Sequence, residues 1–174
     1  MSNARNNRSG GIGETPRLCQ MALRELLEEL FKGKKYNGPA GLRAVGFYEQ
    51  EIPMPTQSDY DADTEDAPAP FIIVRSEAGK IPDDDSPQIM DMSIIMCTYD
   101  NSTQRTGWQD VVNMRERIMQ KICSEPYFGG AFTISKPISW AMQQDDTHPY
   151  YYGVITLKVT APALSQDTAL KELL

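Results

Sequence analysis

His148 is the only histidine in the chain, and it stands three and two residues after Asp145 and Asp146 and directly before Pro149. An imidazole near two carboxylates can act as a general base or hold a metal. A hydrolase triad would also need a serine nucleophile on a constrained turn such as GxSxG, and the sequence has none. The spacing of His148 to the two aspartates matches no metal motif, so a hairpin-turn histidine is expected. Asp59, Asp61 and Asp63 are spaced like the first ligands of a calcium loop, with Glu65 and Asp66 close behind. That loop requires glycine at its sixth position and a bidentate glutamate at its twelfth. Thr64 and Pro70 occupy those places here, which leaves an acidic, solvated loop. Asp83, Asp84 and Asp85 form a second acidic knot, and carboxylates in runs are usually solvated. Cys19, Cys97 and Cys123 are odd in number, far apart and without a CxxC pair, which excludes a zinc ribbon and a thioredoxin-type dithiol. Each lies on an apolar face, so free buried thiols in a reducing cytoplasm are expected. Gly10-Gly11-Ile12-Gly13 follows no strand and makes no phosphate loop. The chemistry-bearing residues therefore predict no catalysis, no metal and no cofactor.

The totals narrow the partners. The 174 residues fit one domain with a core of its own. A net charge of −7 makes the chain a poor phosphate binder, because affinity for nucleic acid comes from Lys and Arg displacing counterions. No apolar run approaches the roughly 20 residues that span a bilayer. Residues 1–14 are rich in Asn, Arg, Ser and Gly, without the apolar core of a signal peptide, and are expected to be disordered.

The elements that must position these residues follow from periodicity. Thr15-Pro16 opens a helix. Leu18, Cys19, Ala22, Leu23, Leu26, Leu27, Leu30 and Phe31 recur at three- and four-residue spacing, and Gly33 ends it. Lys32, Lys34 and Lys35 suit the negative end of the helix dipole. Asn37 to Gly41 predicts a turn, and Arg43 to Ile52 a strand with Val45 and Phe47 on one face. A long acidic loop follows, from residue 53 to 70. Phe71 to Val74 predicts a short buried strand and then a turn through Gly79. Ile89 to Thr98 predicts the central strand, with Met90, Met92, Ile94 and Met96 on one face. A helix capped by Thr106 should lay Trp108, Val111, Val112, Met114, Ile118, Met119 and Ile122 on that face. Arg115, Arg117 and Lys121 should point outward or toward a neighbour. Ala131 to Met142 and Tyr150 to Ala161 form a hairpin, with Pro137 demanding a bulge or an edge. Residues 163–174 form a tail or a short helix. The fold class is α+β: one domain over 15–162, an antiparallel or mixed sheet of about four to five strands, and two main helices.

Two phrases carry a resemblance. One runs from Arg105 through Gly107-Trp108 to Ile118; the other is Phe132 to Trp140 followed by Pro149-Tyr150-Tyr151-Tyr152-Gly153. A GW-led helix, a Pro-x-x-Trp strand and a Pro-Tyr-Tyr-x-Gly return strand resemble the tail-terminator (tail-completion) proteins of tailed bacteriophages. The resemblance covers roughly residues 15–162 and rests on pattern.

The resemblance implies a structural virion protein at the head-proximal end of the tail, assembled in the host cytoplasm. A homo-hexameric ring would close the last ring of the tail tube, stop its polymerisation and join the head connector. Its partners would be itself, the tail tube protein, the connector protein and DNA that passes without specific binding; no membrane is involved. A ring needs two different patches that meet around a closed circle. Tyr127, Phe128, Trp140, Tyr150 and Tyr151 are the candidate interface residues, since aromatics anchor interfaces, with intrachain core as the competing role. Asp59, Asp61, Asp63, Glu65, Asp66, Asp83, Asp84 and Asp85 are expected near the bore or an axial rim, where carboxylates repel phosphate. The alternatives are another head–tail connector or minor tail protein, a small metal-dependent enzyme using the acidic loop or His148, and a ligand-binding module using the methionine face.

Overall fold

In the computed structural model, which describes residues 15–53 and 68–162, helix α1 spans Thr15–Phe31. Cys19, Leu23, Leu27 and Phe31 are buried at four-residue spacing, while Leu18, also part of the apolar stripe, stays 46% exposed. Gly33, at φ 74°, takes the left-handed turn that ends the helix, and the Lys34 N–H donates to the Phe31 carbonyl at 2.9 Å. The segment 1–14, the tail 163–174 and the acidic residues Asp59, Asp61, Asp63, Glu65 and Asp66 lie outside the described residues.

The next three elements correct the sequence reading. Lys35–Gly38 (β1) and Gly41–Ala44 (β2) pair as a separate antiparallel hairpin, so Asn37 and Gly38 are strand residues. Gly41, at φ 110°, makes the tight return. The single strand expected from Arg43 to Ile52 is thus broken at Val45, which turns into the core. Gly46–Glu49 (β3) then joins the main sheet, running parallel to Phe71–Lys80 (β4). This strand was expected to stop at Val74. It continues because β5 pairs with it antiparallel as far as Lys80, and its opposite edge is met at Ser76 by the Gln50 side chain. Its amide donates to the Ser76 carbonyl and its oxygen accepts the Ser76 N–H, both at 3.1 Å. A bulge between Ser76 and Ala78 follows, where the sequence suggested a turn.

Gln88–Tyr99 (β5) is the central strand, and the second helix α2 spans Gly107–Ser124. Tyr127–Phe128 (β6), Phe132–Met142 (β7) and Tyr150–Ala161 (β8) complete a six-stranded mixed sheet in the order β3-β4-β5-β8-β7-β6. Six strands exceed the expected four to five, because β3 and β6 are too short to show a period. The α+β class and the two main helices match the expectation. Pro137 falls within the register shift between Ser135 and Ser139 of β7, the bulge its missing N–H predicts.

Both helices pack on one face of the sheet. Met90, Met92, Ile94 and Met96 are fully buried there with Ile155, Leu157 and Val159 of β8. Val111, Met114, Ile118 and Ile122 of α2 lie across them. Each such side chain contributes about 1.5–3 kcal/mol relative to exposure. The methionine face is therefore core under a helix. Trp108 departs from the expected stripe: it is 49% exposed on the first turn of α2.

Candidate interaction surfaces

The loops 100–106 and 143–149 meet at one end of β5 and β8, where Tyr99 pairs with Tyr150. Asp100 is the buried centre of this end. Its carboxylate accepts the Ser102 N–H at 2.8 Å, the Thr106 N–H at 2.7 Å and the Thr106 hydroxyl at 3.2 Å. Burial pushes the carboxyl up, but these hydrogen bonds outweigh it and hold it below its ordinary value. Thr106 makes no side-chain cap bond, so Asp100 organises the entry to α2 in its place.

His148 lies beside this entry, exposed, over an open groove shared with Arg105, Trp108, Asp146 and Tyr151. Its backbone N–H donates to Asp146 at 3.1 Å, and its Nδ1 lies 3.3 Å from the Tyr151 hydroxyl. Asp146 pairs with the Arg105 guanidinium. The His148 N–H and Arg105 together hold the Asp146 carboxyl below its usual value. These contacts brace two loops against each other. None of them links the imidazole to a serine, threonine or cysteine nucleophile, and no group of three His, Cys, Asp or Glu among the described residues could hold a metal ion. Cys19 and Cys97 are buried and their thiols are pushed up to about 12 by burial, whereas Cys123, expected buried, is exposed on the last turn of α2.

The five aromatic interface candidates do not form one patch. Tyr127 is 60% exposed, while its neighbour Phe128 is buried in the core against Phe132. Trp140 is 52% exposed and stands opposite Ile155, on the helix side of β7. The Arg115 guanidinium lies 3.8 Å above its ring. Tyr151 is half-buried toward the same core, with its hydroxyl near His148. Tyr150 belongs to the opposite face, edge-on to Tyr99 at 5.4 Å.

That opposite face carries a second, smaller apolar cluster that the sequence analysis did not single out. Ala69, Phe71, Ile73 and Cys97 are buried there, flanked by Tyr48, Ile52, Ile95, Tyr99, Tyr150 and Tyr152. Neither described helix packs on it, since both helices contribute their buried side chains to the main core. A signal was present: Phe71-Ile72-Ile73-Val74 is apolar at every position, the pattern of a strand with two apolar faces. Toward the other end of the strands the face turns polar, with Asp91 paired to Lys158 and Glu77 accepting the Ser93 hydroxyl.

Asp83, Asp84 and Asp85 sit exposed in the turn from β4 to β5. Asp83 accepts hydrogen bonds from the Ser86 side chain and the Asp85 N–H, which hold its carboxyl below the ordinary value. Leu42 (68% exposed) on β2 and Ile81 (46%) beside the acidic turn are further large apolar side chains in solvent. No described helix is long and apolar enough to cross a membrane. No family model matches the chain, and no curated protein is significantly similar to it.

Proposed function

We propose that the chain is a structural subunit of a bacteriophage tail, a tail terminator that closes the tube as a homo-hexameric ring and offers the joining surface to the head connector. The observation that carries this reading is the distribution of large exposed apolar side chains. Leu42, Ile81, Trp108, Tyr127 and Trp140 stand at separate points around a sheet whose described residues bring no reacting set together. Scattered single apolar residues are ordinary on a monomer. Two half-exposed tryptophans are less so, because indole rings are the side chains most often found anchoring interfaces. A ring asks for several distinct patches on one subunit, for two neighbours, the tube and the connector, and this arrangement supplies them. The net charge of −7 suits a protein that surrounds passing DNA without holding it.

The reading is tested in particles assembled without the chain. Overlong tails that do not join to heads are expected, and adding the purified protein before assembly should restore their length. Tails of normal length that still join to heads would remove the proposal. A connector or minor tail protein would instead leave tail length unchanged and block joining alone.

A further inference from the structure

The two ends of the β4–β5 pair differ in charge, and the difference points to how copies meet. At one end the segment from Lys32 to Arg43 carries Lys32, Lys34, Lys35 and Arg43 and no acidic residue, in a chain with 24 acidic and 17 basic side chains. Lys32 is paired loosely with Glu29 at 3.8 Å, both side chains well exposed. Lys34 and Lys35 make no ion pair among the described residues. The hairpin β1–β2 that follows is held at its base and exposed along its outer strand. Tyr36 is buried against Phe31 and donates its hydroxyl to Asn113 of α2 at 2.8 Å, whereas all four residues of β2 are exposed, Leu42 most of all.

This hairpin sits beside the start of β4, where a side chain at Gly38 would come within 3.0 Å of the Ala69 carbonyl. The acidic turn follows the other end of the same strand, after Lys80. Ten residues of strand separate the two by about 30 Å. The turn places three carboxylates beside exposed Ile81. Each end therefore pairs a block of one charge with one large exposed aliphatic residue. Two such ends on one subunit, opposite in sign and in position, are the complementary halves of a heterologous contact.

We infer that copies of this chain associate head to tail, the β1–β2 hairpin of one subunit seating Leu42 against Ile81 of the next while Lys34 and Lys35 meet Asp83 to Asp85. The contact rests on the ring reading above and puts the acidic turn between neighbours, not on the bore wall. The sheet edge at β7, which β6 covers only at Thr133 and Phe132, is the weaker route to association. There β7 is bulged against β8 and carries Lys136 and Pro137, residue types that protect strand edges from pairing.

The test is self-association of the full-length chain by sedimentation, with cross-linking as the second readout. Raising salt from about 0.05 to 0.5 M should weaken association about tenfold or more, since exposed charges are screened over that range. The pair Lys34→Glu and Lys35→Glu should weaken it similarly, as should Asp83→Lys with Asp84→Lys. Combining all four should restore it to within about threefold of the original, because the charges are exchanged across the same contact. All these positions are exposed, and circular dichroism verifies that each variant is folded. In a Cys123→Ser background, Leu42→Cys with Ile81→Cys should give intermolecular cross-links, also in subunits extracted from assembled tails. Association or rings that survive all the charge changes, with no cross-link between positions 42 and 81, would overturn this contact and leave the tail-terminator reading standing. A chain monomeric at every salt concentration and without that cross-link would overturn it too. Binding of a DNA oligonucleotide lost with Lys34→Glu and Lys35→Glu, without self-association, would overturn it in favour of a phosphate partner.

Discussion

Asp100 organises the entry to α2, because three donors from the loop that follows converge on its buried carboxylate. Its carboxyl is held below the ordinary value, so the stabilisation it gives is complete above about pH 4 and fades as pH falls through the lower, folded-state value. Asp100→Asn removes the charge near the amino end of α2 and should lower stability at neutral pH by about 1 kcal/mol. It should also flatten the acid limb of a stability–pH curve measured by urea unfolding. An acid limb identical to the parent's would show that the carboxylate is not the organising group. The thiols give a second residue-scale prediction. Cys123 is exposed while Cys19 and Cys97 are fully buried with thiols raised to about 12. One thiol per chain should react with a disulfide reagent under native conditions and three in denaturant. Neither residue was legible in the sequence. Thr106 holds the position where a cap is sought, but the carboxylate that does the work comes from six residues upstream, outside the reach of local capping rules. Cys123 is expected on an apolar face of α2, yet at that turn it is Ile122 that points into the core, and Cys123, one residue on, faces solvent.

Between elements, α2 comes very close to β8. A methyl group on Gly153 would lie 2.6 Å from Cγ1 of Val111, and one on Gly107 would lie 2.5 Å from the Tyr151 ring. These glycines let the helix lie against the strand, which gives a physical reason for the glycines in the GW and Pro-Tyr-Tyr-x-Gly phrases. Gly153→Ala should therefore force the two apart and cost about 1–3 kcal/mol, read as a lower urea midpoint with an unchanged slope. An unshifted midpoint would mean that α2 can slide without loss. Elements with a long period were readable: β5 alternates over twelve residues, and α1 and α2 repeat their apolar residues over seventeen and eighteen. β1, β2, β3 and β6 have two to four residues each, too few to establish a period. The continuation of β4 past Val74 depends on its pairing with β5, and Gln50, which bonds Ser76 on the other edge, comes from a distant part of the chain that no local window contains.

For the whole molecule, the two tryptophans report on assembly. Trp108 and Trp140 are the only ones in the chain, and each is about half exposed, on different elements. The isolated subunit should show red-shifted emission that acrylamide quenches readily. Trp140 is stacked under Arg115 on β7, so it is shielded on one side only, and under the tail-terminator proposal a neighbouring copy or the tail tube would cover the other. In a Trp108→Phe variant the remaining signal is that of Trp140 alone. Its emission should move to the blue and its quenching should fall by about half or more when the chain assembles, because burial in an interface removes both water and quencher. Trp140→Ala should cost the subunit at most about 1 kcal/mol, mostly the lost stacking with Arg115, and weaken assembly by more, as truncation of an interface anchor does. If Trp140 keeps its water-like emission in the assembled ring while the hairpin and acidic turn cross-link, the ring closes through its charged ends alone. The tryptophan edge then faces the tube or the connector, and the same fluorescence measured with each of those added in turn would show which of them covers it.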